Sequence, residues 1–111
     1  MAKSSRPKTV YTLVIELGRT PDDGLPKKAT GAALLCYASG VDEAEAVRET
    51  VATLKQADLA PLDVTGYGDA DERRAAGHEI DEEEAALMTR AGEENAVIVA
   101  QITPFFGKDQ A

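Results

Sequence analysis

The stretch Thr9-Val-Tyr-Thr-Leu-Val-Ile-Glu-Leu17 sets the fold class. Tyr11, Leu13, Ile15 and Leu17 fall on one side of it, and Val10, Thr12, Val14 and Glu16 on the other. That is the period of two of a β-strand. Gly18 and the run Arg-Thr-Pro-Asp-Asp-Gly-Leu-Pro-Lys-Lys-Ala-Thr end the alternation, because prolines, glycine and paired charges cannot hold a ladder together. The loop 18–30 leads into a second apolar run, Gly31 to Ala38, bounded by Ser39-Gly40 and too short for a lone helix. It is expected to pair with the first strand as a wide hairpin.

From Asp42 the period changes. Ala44, Val47, Val51 and Leu54 are spaced as one helical face, and Asp42 with Glu45 forms an N-cap pair, so a helix is predicted over 42–57. Residues 60–67 read as a third strand with Leu62 and Val64 inward and Pro61 at its start. Residues 68–80 are polar and irregular. Asp81 caps a second helix over 81–91, with the thin stripe Ala85, Met88, Ala91 and Gly92 as terminator. Ala96 to Thr103 is apolar on both faces and reads as an interior strand that Pro104 ends.

The order strand, strand, helix, strand, helix, strand predicts an α+β two-layer sandwich, a mainly antiparallel four-stranded sheet with two helices on one face. At the level of layers this resembles the ferredoxin-like plait, whose elements follow a different order. Architecture of that kind carries no function. Residues 9–104 are read as a single domain, with a disordered basic tail over 1–8 and a C-terminal tail over 105–111. Val10, Val14, Val97 and Val99 are assigned to the helix-free face, opposite Tyr11, Leu13, Ile15, Ile98 and Ile102. An apolar patch there predicts a two-fold dimer. The alternative is that Phe105 and Phe106 fold over the valines.

The chain has 111 residues, 20 acidic against 12 basic, and a net charge of −8. Residues 1–31 carry +3 and the remainder −11. An acidic body excludes ordinary nucleic-acid binding and anionic membranes, and favours a basic protein partner. Cys36 is the one cysteine. With no partner for a disulfide and no apolar leader, it points to a reducing, cytoplasmic setting.

No motif assigns an activity. Gly66-Tyr67-Gly68 lacks the third glycine of a dinucleotide loop, and Asp69 and Asp71 would repel a pyrophosphate. Asp69-x-Asp71 opens like a calcium loop, but Arg73, Arg74 and Ile80 stand where ligands belong. The acids at Glu79 and Asp81 to Glu84 read as the solvated first turn of a helix. No metal and no cofactor is expected. His78, Tyr37 and Tyr67 are candidate ligand-binding residues, as are Arg19, Lys27 and Lys28 in the long loop. Three functions fit: a non-catalytic protein-interaction module acting as a homodimer, a regulatory domain with a ligand at the subunit interface, or a small enzyme using His78 as general acid/base.

Overall fold

A computed structural model describes residues 8–107. The elements are β1 (Thr9–Leu17), β2 (Ala29–Gly40), α1 (Glu43–Gln56), β3 (Pro61–Gly66), α2 (Ala70–Ala75), α3 (Glu82–Glu94) and β4 (Val97–Phe106). The strands form one antiparallel sheet in the order β3-β1-β2-β4. The α+β class, the four-stranded antiparallel sheet and the β1–β2 hairpin are those expected. The expected tail 1–8 lies outside the described residues apart from Lys8.

Alternation along β1 and β2 sorts the core onto two faces. Leu13, Ile15 and Leu17, with Leu34, Cys36 and Ala38, pack beneath Ala46 and Leu54 of α1 and form the larger core. This is the sheet-on-helix layering anticipated. On the reverse face Val10, Leu35, Tyr37 and Ile98 meet Met88 and Ala91 of α3. α3 thus takes the face opposite α1, an amendment to placing both long helices on one side. β3 and β4 are opposite edges of the sheet, so the chain joining them must traverse it, and α1 already occupies the other face.

The register also corrects the valine grouping. Val97 and Val99 pair with Ala38 and Cys36, whereas Val10 and Val14 pair with Ser39 and Leu35. Paired residues share a face, so Val97 and Val99 lie on the α1 side and Val10 and Val14 on the reverse. A bulge at Ala100 breaks the phase of β4, so Ile98 sits with Tyr37 on the reverse face and Ile102 opposite Leu34 on the α1 side. Val10 and Val97 are covered intramolecularly.

Other differences have local causes. β4 is an edge strand and runs through Pro104 to Phe106. An edge tolerates proline because half of its N–H groups need no partner. Phe105 and Phe106 therefore extend β4 opposite Gly31 and Ala29, and do not fold over the valines. Leu62 is 66% exposed because the β1–β3 register shifts at Glu16/Leu17. In α1 the buried row is Ala46, Thr50 and Leu54, one step round from the expected stripe. α3 runs past Gly92 and ends at Asn95, whose φ of 51° supplies the left-handed cap.

Candidate functional site

The reverse face of the sheet carries a chain of polar side chains. Thr12 and Tyr37 are directly opposed across β1 and β2 and both face this side. Above them lies α2, a single short helix held by a reciprocal cap: Asp69 accepts from the backbone N–H of Glu72, and Glu72 from that of Asp69. This geometry places Arg73 one turn in, pointing down at the sheet and 9% exposed. Asp81 caps α3 by accepting from the N–H of Glu84 at 2.8 Å, which aims the Glu84 side chain at the same point.

The contacts close into a network. Arg73 Nη1 donates to Glu84 Oε1 at 2.6 Å and to Thr12 Oγ1 at 3.3 Å. The Tyr37 hydroxyl donates to the same Glu84 oxygen at 2.9 Å. Arg73 Nε donates to His78 Nδ1 at 3.2 Å, and the backbone N–H of His78 donates to the Arg73 carbonyl at 2.9 Å. The Tyr67 ring leans over His78, centroids 6.1 Å apart. The Arg73 hydrogen bond holds the Glu84 carboxyl below the usual range against the opposing effect of burial. Burial and the Glu84 carboxylate push the Tyr37 hydroxyl up to about 12.

Glu84 and Arg73 thus link Tyr37 to His78 and, through its ring, to Tyr67. Two recesses adjoin Tyr67 and His78, one of about 160 Å³ against Val14 and Leu35 and one of about 650 Å³ lined by Tyr11, Glu43 and Glu72. The basic loop residues are elsewhere. Leu17 pairs with Ala32 at the far end of the hairpin, where residues 18–28 leave the sheet. Arg19 is absorbed by that loop. Its guanidinium bonds Asp23 at 2.8 Å, the Pro26 carbonyl at 3.0 Å and the carbonyl of Ala29. Asp23 in turn accepts from the N–H groups of Thr20 and Leu25, and its carboxyl is held far below the usual range, chiefly by Arg19. Arg19 thus closes the loop, while Lys27 and Lys28 are exposed on it.

Cys36 points away from this network into the α1-side core, where burial raises its thiol to about 12. No group of three metal-ligating side chains forms among the described residues, and no described helix is long and apolar enough to cross a membrane.

Arg73, Glu84 and Thr12 escaped the sequence reading. Asp69 followed three residues later by Glu72 is a capping-box signature and marks α2 in retrospect. Nothing local marks the Arg73–Glu84 pairing, which depends on where two helices land.

The arrangement defines a class: a small α+β domain whose two reverse-face helices are tied to an antiparallel sheet by a polar network. Residues 10–106 match the model of a family described as a domain of unknown function, DUF8846, and the chain belongs to that family. No curated protein and no solved structure matches it.

Proposed function

We propose that this chain is a non-catalytic protein-interaction module that engages its partner by strand addition along β4. The supporting observation is the contrast between the two edges of the sheet. β3, Pro61 to Gly66, is short, begins with proline and carries Asp63. Charge, proline and brevity are the usual guards against edge pairing. β4 is ten residues long, from Val97 to Phe106, and has no charged side chain. It exposes Val99 (42%), Ile102 (55%), Phe105 (38%) and Phe106 (46%). An extended partner would add main-chain hydrogen bonds there, with alternate side chains meeting these residues.

The other two readings draw less support. In the enzyme reading His78 would act as acid or base, but its Nδ1 is engaged by Arg73, and Cys36 lies on the opposite face. In the ligand reading the larger recess beside Tyr67 is lined by Glu43, Asp69 and Glu72 with no lysine or arginine, and the charge of Arg73 is already matched by Glu84. A basic protein would be drawn to the acidic helices, as a partner distinct from the strand that β4 takes up.

Titrating the isotope-labelled chain with an end-blocked peptide of alternating valine and threonine tests strand addition. Chemical-shift changes concentrated in the β4 amides are expected. Changes confined to α1 or to the 18–28 loop, or none at all, would refute the proposal.

A further inference from the structure

We infer that the strand taken up by β4 is β4 of a second copy of this chain, antiparallel about a two-fold axis, so that two four-stranded sheets become one of eight strands. This rests on the strand-addition reading and names its occupant.

The argument begins with symmetry. A strand laid antiparallel to its own copy exchanges N–H and C=O groups pairwise, so one edge is complementary to itself. The two edges of this sheet then decide how far assembly goes. Pairing β3 to β4 would be head-to-tail and would propagate into a filament. Pro61 and Asp63 on β3 oppose it. Pairing β4 to β4 uses the longer, uncharged edge of each copy, which Pro104 and the Ala100 bulge interrupt only in part, and leaves the two β3 edges as the outer ends, which closes the assembly at two.

Charge favours the same surface. At a net charge of −8 two copies repel, and ten of the 20 acids are carried on α1, α2 and α3, with others at the helix caps, in the loops and on β3. Between Val97 and Phe106 there is none. A copy can thus approach along β4 with the least repulsion, whereas a foreign partner selected for basic charge gains nothing from an uncharged strip. Val99 and Ile102 share the α1 side of β4 and stay exposed there, so pairing sets them against the same residues of the other copy.

The interface is modest. A standard one buries roughly 800 Å² per partner. A single strand edge interrupted by the Ala100 bulge and by Pro104 falls below that size, so the dimer is expected to form reversibly as concentration rises.

Light scattering from the full chain between micromolar and millimolar concentration is the test. The mass is expected to rise from 11.8 kDa towards twice that value. Replacing both Val99→Lys and Ile102→Lys should hold the chain monomeric across the range with an unchanged circular-dichroism spectrum. Leu62→Lys, on the β3 edge, should leave dimerisation intact. As a readout independent of these variants, β4 amides that do not bond β2 should exchange hydrogen more slowly at high than at low concentration. A chain that stays monomeric throughout, or a dimer dissociated by Leu62→Lys and not by the β4 pair, overturns the inference. A monomer whose β4 amides still respond to the valine–threonine peptide overturns self-pairing while leaving strand addition standing.

Discussion

Arg73 Nη1 and Glu84 Oε1 meet at 2.6 Å above the sheet, eleven residues apart in the chain and on different helices. Their side chains are 11% and 25% exposed, so water screens the pair only in part. Arg73→Met keeps the volume but leaves the carboxylate without its cation, and is expected to cost about 1–3 kcal/mol in urea unfolding. Glu84→Gln keeps an acceptor for Arg73 and Tyr37 and should cost less. A double-mutant cycle between the two positions should show coupling, which a merely additive loss of packing would not.

Acid should loosen the same network. The folded-state value of Glu84 lies below its ordinary 4.5, so the unfolded chain binds the proton more readily. Asp23 is depressed in the same sense by Arg19. The stability these groups supply is complete above their ordinary values and is lost as pH falls through the folded ones. Unfolding midpoints measured from pH 7 down to pH 2 should fall below about pH 4.5, the ordinary value of Glu84, and Glu84→Gln should flatten part of that slope.

Two glycines are fixed by close backbone approach. A Cβ at Gly31 would stand 2.3 Å from the carbonyl oxygen of Leu17, and one at Gly40 would stand 2.8 Å from the backbone of Asp42 and Ala46. Gly31→Ala and Gly40→Ala are each expected to cost roughly 1–3 kcal/mol, since neither neighbour can rotate away. Gly24 has open space around it and a φ of 74°. Gly24→Ala should therefore cost only the strain of that backbone conformation, about 1 kcal/mol. Thermal unfolding of the three variants would rank them.

Thr50 is fully buried on α1, and among the described residues its hydroxyl has no hydrogen-bond partner. Thr50→Val has nearly the same shape and removes that polar atom. An increase in stability of about 1 kcal/mol is expected from denaturant titration. A loss of similar size would show that the hydroxyl is satisfied in solution.

Cys36 should be inert while the chain is folded. Its thiol is raised to about 12 by burial, which leaves little thiolate at neutral pH. Alkylation should follow the unfolded fraction as denaturant is added. Rapid modification of the native chain would contradict the packing on the α1 face.

The legible part of the fold was whatever short-range periodicity controls. The alternation Tyr11, Leu13, Ile15, Leu17 and the caps Asp42 and Asp81 mark β1, α1 and α3 because each feature works within a few residues of itself. Leu62 and the valines were misassigned because bulges at Glu16/Leu17 and Ala100 shift the phase, and a bulge is a property of a strand pair. No spacing in the sequence joins Tyr37 to His78; they are linked through Glu84 and Arg73, and the role of Arg73 depends on α2 crossing the face that holds Thr12.

By itself, the sequence determined an acidic α+β domain with an antiparallel hairpin at its centre, through composition and repeat period. Which strand lies at the edge, which helix covers which face and which valines share a side were decided only by tertiary structure. Those features follow from the order of strands in the sheet and the register between them, and both are set by contacts between segments far apart in the chain. The uncharged run Val97 to Phe106 shows the difference plainly. Its apolar composition suits the buried centre of a sheet, and only its place beside β2, with no further strand beyond it among the described residues, makes it an open edge.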